Sequence, residues 1–218
     1  MAVKPKPTGR TSEARRGRAR PRARARSRRP PREEVRRRIL AAATEVFLEC
    51  GFGGASVEEI AAAAGFSKGA VYSNFEDKDA LFLALVDEEF AWRLDQLRTA
   101  LEEAPDDPAA GAGRSMMRAL AAHQDLHVLF SEFRVHADRS PATRRRFARR
   151  RRQIRATLAE TVAAYAERAD VELTMPADHL ATVLLALTNG LALERLGQAD
   201  AVPDEIFGEV IATLFRPR

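Results

Sequence analysis

One cysteine, Cys50, stands in 218 residues, so no internal disulfide can form. No apolar run reaches the roughly 18 residues that a bilayer span needs. The basic N-terminus lacks the apolar segment of a secretory signal. These absences predict a cytoplasmic protein with no membrane partner, kept in a reducing compartment. The short patterns of catalysis and metal binding are missing too: no CxxC or HExxH, no nucleophile elbow, no glycine-rich phosphate loop and no paired catalytic carboxylates. The chain therefore reads as a non-enzyme without cofactor or metal. His123 and His127 stand four apart, a spacing able to hold a metal on one helical face. Gln124 and Asp125 between them read as a helix break, which removes that face. Lysine is scarce as well, with 4 Lys against 32 Arg.

What charge there is lies unevenly. Residues 1–38 hold 16 Lys/Arg and 3 Asp/Glu, a balance of +13, whereas residues 39–218 hold 20 and 28, a balance of −8. A basic leading arm on an acidic body points to a polyanion partner at one end. Residues 1–31 combine Arg, Pro, Ala and Gly with almost no large apolar side chains, the composition of a disordered arm. It reads either as an arm lying along phosphates or as a tail.

The most informative stretch is 56–78, SVEEIAAAAGFSKGAVYSNFEDK. Ser56 and Glu59 form a capping box that opens a helix. Val57, Ile60 and Ala61 give it a small apolar face. Gly65 ends it through the left-handed backbone that glycine tolerates, and Ser67 caps the next helix. That second helix turns Val71 and Phe75 inward. Outward it shows Ser67, Lys68, Gly69, Ala70, Tyr72 and Ser73, which are small or hydrogen-bonding and include no acid. Two short helices around a tight turn, the second with such a face, are a helix-turn-helix that reads the DNA major groove.

At Ile60-Ala61, Ala64-Gly65-Phe66-Ser67, Gly69-Ala70-Val71-Tyr72, Phe75 and Lys78 the sequence resembles the TetR family of transcriptional regulators. The match extends through Phe47, Gly51 and Phe52 upstream and Leu81 and Phe82 downstream, about fifty residues in register. The resemblance implies an all-α fold of about nine helices. An arm (1–31) precedes an N-terminal three-helix helix-turn-helix DNA-binding domain (32–77). A C-terminal helical ligand-binding and dimerisation domain (78–218) follows. It implies phosphate or base contacts from Arg32, Arg36, Ser56, Ser67, Lys68, Gly69, Ala70, Tyr72, Ser73, Asn74 and Lys78. Position 70 is often Thr and position 74 often His in the family, so Ala70 and Asn74 leave the base preference open. Lys78 at a helix N-terminus, behind an Asp77 cap, reads as a phosphate seat.

The rest of the chain reads as a helix from 78 to about 103, then helices over about 108–123, 125–137, 140–169, 177–196 and 203–215. The fourth helix starts at the DNA and ends in the body, which makes it the mechanical link. Eight Arg between 144 and 155 read as a solvated face or as a seat for an anionic ligand. Phe90, Met116, Met117, His123, Phe130 and Phe133 read as a solid core by composition. The resemblance implies an effector pocket there, for an unknown small molecule. Between Val183 and Leu193 the eighth helix is apolar nearly all round, so two of its sides need cover. The resemblance implies a homodimer through Val183, Leu184, Leu187, Leu191, Ile206, Val210 and Leu214. The expected partners are thus a double-stranded DNA operator, a second copy and an effector. The expected function is a repressor released by its ligand; the alternative is a regulator without an effector, working through a protein partner or as an activator.

Overall fold

The computed structural model describes residues 31–104, 106–198 and 201–217. The arm expected over 1–31 lies, but for Pro31, outside them. Among the described residues the chain forms α1 (Arg32–Gly54), α2 (Val57–Ala64), α3 (Lys68–Tyr72), α4 (Lys78–Glu103), α5 (Pro108–Ala122), α6 (Gln124–Asp138), α7 (Pro141–Arg168), α8 (Ala177–Gly197) and α9 (Ile206–Leu214). The fold is all-α, apart from one short antiparallel pair. That pair is β1 (Val171–Leu173) and β2 (Phe215–Pro217), with Leu173 opposite Phe215.

Local chemistry sets most of the helix starts. Ser56, Ser67, Asp77, Asp107 and Ser140 each accept a backbone N–H with the side chain, satisfying donors that a helix leaves open. Pro108 and Pro141 follow two of these caps at a position where a missing N–H costs nothing. The regular part of α1 ends at Gly51. Gly51 takes φ 70°, ψ 167°, and a further helical turn follows the kink to Gly54.

Burial divides into two clusters. The first joins α1–α4 with Leu126, Leu129, Phe133 and Ala137 of α6 and Ile154 of α7. The second joins the distal part of α4 with α5 and α7–α9. Phe90 and Leu185 pack against both. The N-terminal helices therefore share a core with the body. Phe133 stacks on Phe82 with centroids 4.5 Å apart and meets Phe52 edge-on at 5.0 Å.

α5 and α9 cross with backbones almost touching. A Cβ added at Gly113 would lie 2.5 Å from Gly208 Cα, so the crossing needs glycine there. α8, with mean hydropathy 1.2, is the one helix among the described residues long and apolar enough to cross a membrane. Its composition has another explanation in the fold. Leu180, Ala181, Leu184, Leu191 and Ala192 face the second cluster, while Val183 and Leu193 on other sides are 38% and 50% exposed. Leu184, Leu191 and Leu214, expected at a dimer interface, are buried within the chain, because the inward stripes of α8 and α9 belong to this core. Val183 stays outward, and Leu187, Ile206 and Val210 are half-buried at its edge.

Candidate nucleic-acid interface and ligand cavity

The helix pair α2–α3 is held by its caps. The Glu59 N–H donates to the Ser56 hydroxyl at 3.2 Å, and the Ser56 N–H donates to the Glu59 carboxylate at 2.9 Å, the reciprocal pair of a capping box. Gly65, at φ 71° and ψ 31°, ends α2. The Gly65 and Phe66 N–H groups turn back onto the Ala62 and Ala61 carbonyls at 3.1 and 2.9 Å. Ser67 then accepts the Ala70 N–H at 3.2 Å and starts α3. Val71 and Phe75 anchor α3 inward. That leaves Ser67, Lys68, Gly69, Tyr72 and Ser73 exposed, with Ala70 half-buried. A Cβ at Gly69 would meet only the Ser67 hydroxyl, at 3.8 Å. Packing inside the chain therefore does not demand a glycine there, and the flat spot faces outward.

Lys68 pairs with Glu58 of α2 and lies 5.7 Å from the Tyr72 ring centre. The hydrogen bond that it donates to Glu58 holds the ammonium pKa above its ordinary value. Both partners are exposed, so the pair is weak and exchanges readily for another anion. Arg32 and Arg36 reach across from α1 and donate to the Ser73 and Asn74 carbonyls at 3.3 and 3.4 Å. The Arg36 guanidinium also lies 4.4 Å over the Phe75 ring. Ser73 Oγ and Asn74 Nδ2 donate back to the Ala70 carbonyl, both at 2.8 Å. These two side chains close the end of α3.

Lys78 departs from expectation. Its ammonium does not face outward as a phosphate seat. It donates to the Phe52 and Ala55 carbonyls, both at 2.8 Å, and sits 4.5 Å from the Phe52 ring centre. Burial lowers its pKa. The sequence places Lys78 on the first turn of a helix but does not show that the end of α1 past the Gly51 kink turns the Phe52 and Ala55 carbonyls towards it.

Three further links join this unit to the body. The Phe52 N–H donates to the Glu132 carboxylate of α6 at 2.8 Å. Arg146 of α7 forks onto Asp77, the cap of α4, at 2.7 and 3.1 Å. Burial alone would raise the Asp77 pKa, but the Arg146 fork and the Ala80 N–H outweigh it and hold the group low. Asp79 accepts from His136 of α6 at 3.1 Å and from Thr143 of α7 at 2.6 Å.

Beside α4 lies a cavity of about 380 Å³, walled by α4–α9, within the usual range for small-molecule sites. Phe90, Met116 and Phe130 line it as expected. Met117, His123 and Phe133 do not. Phe133 and Met117 are spent in the two cores. His123 sits at the α5–α6 break, where its Nδ1 donates to Glu89 at 2.9 Å. Glu89 also takes Arg93 Nε at 2.5 Å, and Arg93 Nη2 donates to His127 Nε2 at 3.0 Å. Burial, reinforced by Arg93 and His123, holds His127 down to about 3, so its ring is neutral and its Nε2 accepts. Among the described residues no group of three or more metal-ligating side chains forms. Arg134 of α6, Arg151 of α7, Ser131, Thr188 and Asn189 complete the polar lining. The sequence signal for Glu89 and Arg93 is their i, i+4 spacing, which more often marks a surface pair. Arg151 is one of eight arginines that the sequence does not rank.

A model of the N-terminal part of bacterial regulatory proteins of the tetR family matches residues 39–85. A model of the C-terminal part of BetI-type transcriptional repressors matches residues 105–214. The chain is 38% identical over 94 residues to the HTH-type transcriptional activator FasR of Mycolicibacterium smegmatis, covering 43% of each protein. It is 36% identical over 77 residues to the HTH-type transcriptional repressor DhaR of Mycobacterium sp. strain GP1, covering 35% of this chain and 39% of that one. The chain thus spans less than half the length of these curated relatives. A crystal structure of a transcriptional regulator from Rhodococcus sp. Rha1 superposes with TM-score 0.58 at 30% identity, covering 82% of this chain and 92% of that chain. A TetR-family regulator from Rhodococcus sp. gives TM-score 0.63 at 20% identity over 84% and 98% of the two chains, a likeness of fold alone.

Proposed function

The chain belongs to the TetR family of bacterial transcriptional regulators, and from that premise we propose that it is a dimeric repressor. In this reading α3 docks in the major groove of a DNA operator, and a small molecule in the cavity beside α4 releases it. The supporting observation is that α4 serves both sites. Its first turn is tied through Lys78 to the end of α1 and the turn that leads into α2, while its middle carries the Phe82, Val86, Phe90 and Arg93 wall of the cavity. Arg146 and Asp77 tie α7, another wall, to the same helix start. A ligand that fits one tilt of α4 better than another shifts the two populations by that difference and no more.

The dimer rests on α8. Val183, Ala186, Gly190 and Leu193 are exposed along α8, with Leu187 half-buried at the edge of the core between them, and a second copy covers them. Two α3 helices related by a two-fold axis read a two-fold symmetric site. In this reading the protein works on DNA in the cytoplasm. FasR is named an activator, so the sign of regulation is a second reading that a promoter-reporter assay decides.

The test is a gel shift of the full-length protein on DNA flanking its own gene at low salt. Retarded DNA that Tyr72→Ala abolishes on every sequence tried supports a phosphate role for Tyr72 on the exposed face of α3. No shift from the wild-type protein would sink the proposal.

A further inference from the structure

We propose that the cavity takes a hydrophobic carboxylate, with its apolar body among the core side chains and its head on Arg151 and Arg134. This rests on the ligand-responsive reading above and names the ligand class for that site.

The charge balance of the lining carries the inference. It holds three guanidinium groups, Arg93, Arg134 and Arg151, against one carboxylate, Glu89, and His127 is neutral. Glu89 is consumed by Arg93 and His123. That leaves Arg151 of α7, partly buried, and Arg134 of α6, exposed to solvent, without a carboxylate partner in the lining. Their neighbours on α7 are not in this position, since Arg146 pairs with Asp77 and Arg150 with Asp87. Among the described residues no carboxylate pairs with Arg134 or Arg151. Arg151 is only partly exposed, and burial with the adjacent Arg134 and Arg155 charges lowers its pKa. A desolvated guanidinium beside a like charge is costly until an anion arrives. The planar fork of arginine suits a carboxylate.

The same balance excludes a cation. Glu89, the one acid in the lining, is already paired, and two uncompensated arginines repel positive charge. Apart from Ser131, Thr188 and Asn189, the remaining wall is apolar, including Phe82, Phe90, Leu94, Phe130 and Ile154. At about the volume of a water per non-hydrogen atom, the space accepts a molecule of roughly 10–15 such atoms. A medium-chain aliphatic acid and a bicyclic aromatic acid both meet that description.

Calorimetric titration of the full-length protein with decanoate, 2-naphthoate, decanol and decylammonium tests the class without any mutation, and the two acids separate the aliphatic from the aromatic source. At least one acid should bind about 10- to 100-fold more tightly than decanol, the increment of a hydrogen bond to a charged group. Arg151→Gln, checked for an intact melting transition, should bring that ratio near one, and Arg134→Gln should lower it in part. Decanol binding as tightly as both acids, or decylammonium more tightly, overturns the proposal. An acid that binds with the expected preference but leaves the DNA complex intact upholds the ligand class and fails the release reading. DNA released by a neutral or cationic compound, and by neither acid, upholds release and fails the class.

Discussion

The Lys78 ammonium satisfies the carbonyls of Phe52 and Ala55 at once while lying over the Phe52 ring. Lys78→Met keeps the apolar stem and removes both donors. Hydrogen bonds to a charged group, discounted for the partial exposure of this one, put the loss at about 1–2 kcal/mol. Urea denaturation reads it, and an unchanged midpoint would mean that water replaces the ammonium without cost. His127 sets a pH dependence of definite sign. Its pKa falls from 6.5 to about 3 in the fold, so between those values the unfolded chain binds a proton that the folded chain refuses. Stability from this residue is complete above pH 6.5 and is lost as pH falls towards 3. At pH 5 the loss is about 2 kcal/mol. His127→Gln, which can still accept from Arg93, should flatten that slope in denaturation series at pH 7 and pH 5.

Among the elements, the α5–α9 crossing is a close contact of backbone on backbone. Gly113→Ala puts a methyl 2.5 Å from Gly208 Cα, where no side chain can move aside. Overpacking of this kind costs about 1–3 kcal/mol. Gly208→Ala meets its nearest backbone atom at 3.1 Å and should cost less, so the order of the two melting temperatures tests the geometry. How far each element could be foreseen follows from the range of the forces that make it. The Ser56–Glu59 box, Gly65 and the Ser67 cap act within four residues, and α2 and α3 lie where those signals put them. Phe133 and Phe130 look alike in the sequence, three apart on one helix. One closes a core and the other lines a cavity, because the difference lies in what α4 and α7 bring against them. The β1–β2 pair joins residues more than forty positions apart through three-residue strands, too short for any alternation to show.

For the whole molecule, the charge split in the sequence has a measurable consequence. Residues 1–31 carry 12 Lys/Arg. Each phosphate they neutralise steepens the fall of affinity with salt. Deleting them should lower affinity at low salt and flatten the log–log slope; an unchanged slope would make the arm a bystander. A second whole-molecule consequence comes from Phe90 and Leu185, which touch both hydrophobic clusters and also wall the cavity. The empty space lies along the seam where the two clusters meet, so each lacks packing partners on that side. Heating the unliganded protein should then give two overlapping calorimetric transitions, with the van't Hoff enthalpy smaller than the calorimetric one. A bound compound supplies the missing atoms of both clusters at once. It should merge the transitions into a single cooperative melt, making the effector, in effect, a removable piece of the hydrophobic core.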